Sequence, residues 1–125
     1  MIGARPLDLT GRRVLVVEDE YFIADDLTRL LEEAGAEVVG PLSEVSEALH
    51  QLSLGERIDA AVLDINLSGE MAYPVAERLR QRDIPFIFAT GYAAASMPAS
   101  FADVPRIEKP YELAGLFRTL PALIR

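Results

Sequence analysis

Short apolar runs, each closed by a polar residue, alternate along this chain with longer segments whose apolar residues recur at helical spacing. The runs are Val14 to Val17, Ile58 to Leu63, Pro85 to Ala89 and Val104 to Ile107, all rich in Val, Ile or Phe. A weaker fifth, Ala36 to Val39, lies between Gly35 and Gly40, where the chain can turn without steric cost. Each run has the length and composition of a buried strand. The first helical pattern begins near Glu20, with Ile23, Leu27, Leu30, Leu31 and Ala34 on one face and Gly35 as its stop. The second has Ser43 as N-cap candidate and Val45, Ala48, Leu49 and Leu52 on its inner face. The third starts near Pro74 and buries Val75, Ala76 and Leu79; the last carries Leu113, Leu116, Phe117 and Leu120. Between the fourth and fifth strands, Ala93 to Phe101 contains helix formers but is broken by Pro98, which predicts a short or mobile element there. Strand and helix alternating in this way predict an open, doubly wound α/β domain, its parallel sheet covered on both faces.

Composition narrows what such a domain can do. At 125 residues, half of them hydrophobic, the chain has the size of one domain, expected over residues 12–125 behind a loosely held tail, 1–11. Twenty acidic residues against twelve basic ones leave a net charge of −8, which repels a phosphate backbone, so no nucleic-acid partner is expected. With no cysteine and a single histidine, His50, there is neither a disulfide framework nor a zinc site. His50 falls near the inner stripe of the second helix and is read as structural. The N-terminus lacks the apolar stretch of a signal peptide, and no run of about eighteen apolar residues occurs. A cytoplasmic chain without a membrane partner is the expectation.

In an open α/β sheet, ligands bind beyond the carboxyl ends of the strands, at the point where strand order reverses. Those ends carry Glu18, Asp19 and Glu20 after the first strand, Asp64 and Asn66 after the third, Thr90 after the fourth, and Glu108, Lys109 and Pro110 after the fifth. A dinucleotide site needs a glycine-rich turn after the first strand; this loop offers carboxylates instead. Acidic residues at strand ends are often merely solvated, but Glu18, Asp19 and Asp64 gathered at a switch point argue for a hard divalent ion, and magnesium fits. Asp64 follows the unbroken apolar run Ala60 to Leu63, which places its carboxylate at the sheet rim, where desolvation penalises an unpaired charge. Lys109, the one lysine beside eleven arginines, brings a compact mobile charge unless it is simply a solvated loop residue. The Thr90 hydroxyl can donate to an oxyanion or cap a turn.

These residues resemble the receiver domains of two-component response regulators, over about Arg12 to Leu123. The carriers are Val-Leu-Val-Val-Glu-Asp-Glu at 14–20, Ala-Val-Leu-Asp-Ile-Asn-Leu at 61–67, Phe-Ala-Thr-Gly-Tyr at 88–92 and Glu-Lys-Pro-Tyr at 108–111. The resemblance implies a flavodoxin-like sheet of strand order 2-1-3-4-5 with a weak fourth helix. It implies Asp64 as phosphoacceptor, Asp19 as direct magnesium ligand, the Asn66 backbone carbonyl as a further ligand and Glu18 as the holder of metal-bound water. It also implies Thr90 as the hydroxyl that moves toward the phosphoryl group, and Lys109 as the cation that pairs first with Asp64 and then with a phosphoryl oxygen. The implied partners are a sensor histidine kinase or phosphotransferase and a downstream protein that reads the modified surface, with the domain itself a monomer or weak dimer. A phosphate sink is the alternative outcome. The only reaction implied is on the chain's own aspartate, so it is not an enzyme acting on a separate substrate.

Phe88 to Tyr92, with Glu70, Tyr73 and Pro74, further resemble a receiver subgroup, many of them lone domains; nothing follows Arg125 in this sequence, so the signal is expected to leave through a surface. The family commonly places an aromatic three residues before the lysine, and here that residue is Arg106. Tyr92 or Tyr111 is the expected substitute reporter, unless both merely pack, and Gly91 leaves room beside the acceptor unless it is a simple turn glycine. Two rival readings remain. A haloacid dehalogenase-like phosphohydrolase needs a second aspartate where Asn66 stands. A phosphorylation-independent interaction module would keep the fold without the chemistry.

Overall fold

The structure, a computed structural model, describes residues 8–90 and 97–108. Its elements are β1 (Arg13–Val17), α1 (Tyr21–Glu33), β2 (Glu37–Leu42), α2 (Val45–Ser53), β3 (Ala60–Asp64), the small strands β4 (Asn66–Leu67) and β5 (Glu70–Met71), α3 (Tyr73–Gln81), β6 (Phe86–Thr90), a 3-10 turn (Ala99–Phe101) and β7 (Arg106–Glu108). The main sheet is parallel, in the order β2-β1-β3-β6-β7. With the β4–β5 hairpin counted apart, that is the expected order 2-1-3-4-5, and the site lies where β1 sends the chain to both sides.

Successive side chains of a strand point to opposite faces, so an all-apolar strand feeds two cores at once. Leu15, Val17, Leu63, Phe86 and Phe88 pack with Val45, Leu52, Val75, Leu79 and Phe101 on one face. Val14, Val16, Val62, Ile87 and Ala89 pack with Leu27, Leu31 and Ile107 on the other. Leu9 belongs to this second core, and its N–H donates to the Ala34 carbonyl at 2.7 Å, so the part of the N-terminal stretch that is described is anchored. Among the described residues, no helix is long and apolar enough to cross a membrane.

The described part of the segment around Pro98 is a single 3-10 turn, the short element that Pro98 implies; residues 91–96 lie outside the described residues. Arg80 of α3 ties this turn down, donating to the Ser100 carbonyl at 2.7 Å and to Asp103 at 2.8 Å, with its guanidinium 4.9 Å from the centre of the Phe101 ring. The bond from Arg80 holds the Asp103 carboxyl below its ordinary value.

Four local expectations are corrected. Gly40 does not end the second strand: β2 runs on to Leu42, and one extra residue is absorbed between the pairs Leu15–Val39 and Val17–Leu42. The second helix is capped differently, since Glu44 is its N-cap residue and Ser43 instead donates its N–H to the Glu47 carboxylate at 3.1 Å. The Glu47 carboxylate thus reaches back over the first turn and ties down the residue before the N-cap. His50 is exposed rather than near the inner stripe; it stands in the last turn of α2, where a basic side chain suits the helix dipole. The stripe of α1 is also rotated slightly, with Ala24, Leu27 and Leu31 as its buried residues.

Gly40 makes the β2 irregularity possible. Its φ is +101°, and a Cβ there would lie 2.8 Å from both the Leu42 nitrogen and the Val16 carbonyl oxygen. Both are backbone atoms inside the sheet. Gly40→Ala is therefore expected to cost about 2 to 3 kcal/mol, read as a lower urea midpoint at unchanged slope. Gly55, with φ +73° but nothing within 4 Å of a Cβ, isolates the backbone part, and Gly55→Ala is expected to cost only about 1 kcal/mol.

Candidate functional site

The register of the central strands assembles the site. Val17 pairs with Leu63, so Glu18 and Asp64 leave neighbouring strands at the same level, with Asp19 one residue further. Asp64 pairs in turn with Ala89, and Thr90 with Glu108, which carries the row of polar ends across β6 to β7. One carboxylate oxygen from each of Glu18, Asp19 and Asp64 lies within 4.8 Å of the other two. Among the described residues, the buried polar side chains are Glu18, Asp64 and Thr90, at 3%, 5% and 5% exposure. Asp19 is half-buried.

Backbone amides and one hydroxyl hold these groups in place. The Glu20 N–H donates to Glu18 Oε2 at 3.1 Å, and the Asn66 N–H to Asp64 Oδ1 at 3.2 Å. The Ser68 hydroxyl, at the tip of the β4–β5 hairpin, donates to Asp19 Oδ2. Two unit charges at this separation repel by on the order of 3 kcal/mol at an effective dielectric constant of about 20. Three converging carboxylate oxygens, two of them from buried residues, make a hard, oxygen-only donor set that suits a small divalent cation. Beside Asp19 the site opens into a cleft of about 530 Å³ lined by Ser43, Glu44, Ser46, Leu67, Ser68 and Glu70.

The structure thus brings together Glu18, Asp19 and Asp64, with Asn66 bonded to Asp64 and Thr90 next along the row. The Asn66 side chain turns away to close the hairpin, its Oδ1 accepting from the Gly69 N–H at 2.7 Å, so only its backbone serves the site. Arg106 is exposed on β7, opposite Phe88 in register, and its guanidinium meets the Met97 sulfur at 3.5 Å. Lys109, Gly91, Tyr92 and Tyr111 lie outside the described residues. Sequence reasoning missed Ser68. Its signal was the Ser-Gly pair at 68–69, a turn marker between two stretches too short to read as strands.

Known proteins agree with this arrangement. The chain matches the response regulator receiver domain over residues 14–117. It is 31% identical over 111 residues to the sensory transduction protein LytT of Bacillus subtilis, a match that covers 86% of this chain and 46% of that protein. The chain therefore spans about half the length of the curated relative. Among solved structures, it resembles the BeF3-activated conformation of SdrG from Pseudomonas melonis at 42% identity and a TM-score of 0.76, covering 94% of this chain and 99% of that one. A response regulator receiver protein from Sinorhizobium medicae matches at 28% identity and a TM-score of 0.81, covering 94% and 97%. A five-stranded sheet in the expected order, an acidic cluster at its switch point and a family match across most of the chain lead to one conclusion: this chain belongs to the response regulator receiver domains.

Proposed function

We propose that this receiver accepts a phosphoryl group on Asp64 in a magnesium-dependent reaction, from a sensor histidine kinase or a phosphotransferase, and signals by changing its protein contacts. A role as phosphate sink for a shared kinase uses the same chemistry. The observation that carries the reading is the convergence of Glu18, Asp19 and Asp64 within 4.8 Å at the end of the central strands. The Asp64 carboxylate attacks phosphorus in line; its new P–O bond forms as the P–N bond to the donor imidazole breaks, and the imidazole leaves with the electron pair.

Asp19 and Asp64 would hold the ion directly, the Asn66 carbonyl would add a backbone ligand, and Glu18 would act through water. A bound divalent ion supplies positive charge against the equatorial oxygens of the transferring group. Thr90, buried on the adjacent strand, would donate its hydroxyl to a phosphoryl oxygen, and Lys109 is assigned the balancing cation on the strength of the family pattern. The backbone bond from Asn66 fixes Asp64 Oδ1 and with it the orientation of the carboxylate. Because the acceptor is the chain's own side chain, this chemistry makes no turnover on a separate substrate.

Intact mass after incubation with acetyl phosphate or phosphoramidate tests the proposal. Gain of a single phosphoryl group with magnesium, and none after chelation, is the expected result. A folded wild-type chain that stays unmodified by both small donors and by a panel of sensor kinases would leave a phosphorylation-independent interaction module as the better account.

A further inference from the structure

We propose that Ser68 is a positioning residue for magnesium: its hydroxyl holds the Asp19 carboxylate in the orientation that brings it to the acidic cluster. The inference rests on the magnesium-dependent reading above and concerns a residue that no part of that reading uses.

Ser68 and Gly69 form the two-residue loop between β4 and β5, and both have positive φ, +54° and +94°. A loop of this kind favours Asn, Asp or Gly at both positions, because a Cβ crowds the following carbonyl oxygen in the left-handed region, a cost that Gly escapes and Asn and Asp offset by local hydrogen bonds. Ser is a poor choice for the turn itself. The turn is already closed without its side chain, since Asn66 Oδ1 accepts from the Gly69 N–H. What the serine side chain does instead is donate to Asp19 Oδ2, joining residues 49 apart in sequence. A locally unfavourable residue whose side chain serves a remote carboxylate is the pattern expected where function overrides turn preference.

The hydroxyl acts on a residue of the cluster itself, since Asp19 contributes one of its three carboxylates. Anchoring Asp19 Oδ2 restricts the carboxylate before an ion arrives, and partners of this kind typically tune metal affinity by about 10- to 100-fold. Ser68 is exposed and stands on the wall of the cleft, so its removal opens no cavity in the core.

The test is the magnesium dissociation constant of the full chain at fixed ionic strength, read from amide NMR shifts and checked by calorimetry. Ser68→Ala and Ser68→Gly are compared with wild type. Both lose the hydroxyl, but glycine relieves the strained turn whereas alanine keeps it. A purely structural serine predicts that Ser68→Gly binds magnesium as well as wild type or better. Positioning predicts that both variants bind about tenfold more weakly, with Ser68→Gly at least as heat-stable as wild type. Equal affinity in all three chains, or weakening in the alanine variant alone, would overturn the role of Ser68 and leave the magnesium reading intact. Failure of the wild type itself to bind magnesium would overturn both.

Discussion

Asp64→Asn is expected to take up no phosphoryl group under conditions where the wild-type chain gains one. The amide keeps the size of the carboxylate and can accept the same 3.2 Å bond from the Asn66 N–H, so the rim of the sheet is preserved. What it lacks is a negatively charged oxygen to attack phosphorus, and no neighbour makes good the loss. Glu18 is buried with Oε2 fixed by the Glu20 N–H, and Asp19 has Oδ2 engaged by Ser68. The effect is therefore complete rather than graded, and intact mass reads it directly, with the amide NMR spectrum confirming that the variant is folded. Uptake by the variant at the wild-type level would remove Asp64 from its assigned role.

The largest effect on stability is expected at Phe88. It is fully buried at the centre of an aromatic cluster, with ring centres 6.4 Å from Tyr73, 5.9 Å from Phe101 and 5.5 Å from Phe86, all near edge-to-face. Tyr73 and Phe101 stack on each other at 5.5 Å and 10°. The ring joins the start of α3, the 3-10 turn and β6, so its removal leaves a hole that three elements would have to close together. Phe88→Ala should cost about 3 to 5 kcal/mol, a large share of the roughly 5 to 15 kcal/mol that holds a domain together. A fall of about 12 to 20 °C in thermal midpoint is the expected measurement. Phe22, an equally large ring that is 80% exposed on α1, is the control, and its alanine variant should change stability by no more than about 0.5 kcal/mol. A loss at Phe88 no larger than at Phe22 would show that the cluster contributes little.

How much of this was legible in the sequence follows from the length over which each signal is spread. The strands around Val14, Val62 and Ile87 announce themselves because being buried on both faces demands an unbroken apolar run. Glu18, Asp64 and Thr90 were legible for the same reason, since each is the first polar residue after such a run, and Asp19 follows Glu18 directly. The continuation of β2 through Gly40 and Pro41 was not, because both residues ordinarily mark turns; only tertiary pairing with Val17 overrides them. The β4–β5 hairpin was hidden because two residues carry no period. The N-cap of α2 one residue after Ser43 was not legible either, because Ser43 is bonded to the Glu47 carboxylate, a side-chain contact that spacing does not encode. Exposure of His50 follows from the short α2, in which one residue of rotation moves a side chain from inner face to outer.

The pairing of Val17 with Leu63 has a consequence for how the site can fail. Glu18 and Asp64 are 46 positions apart and meet only because two separate strands lie in one particular alignment. In the unfolded chain these carboxylates are scattered, so ion affinity is a property of the assembled sheet. A slip of one residue between β1 and β3 would turn Asp64 to the opposite face while leaving much of the apolar surface covered. Ion affinity is accordingly a finer gauge of strand alignment than melting temperature. Substitutions deep in either core that nudge β1 against β3 should weaken the ion first, and the fold only later.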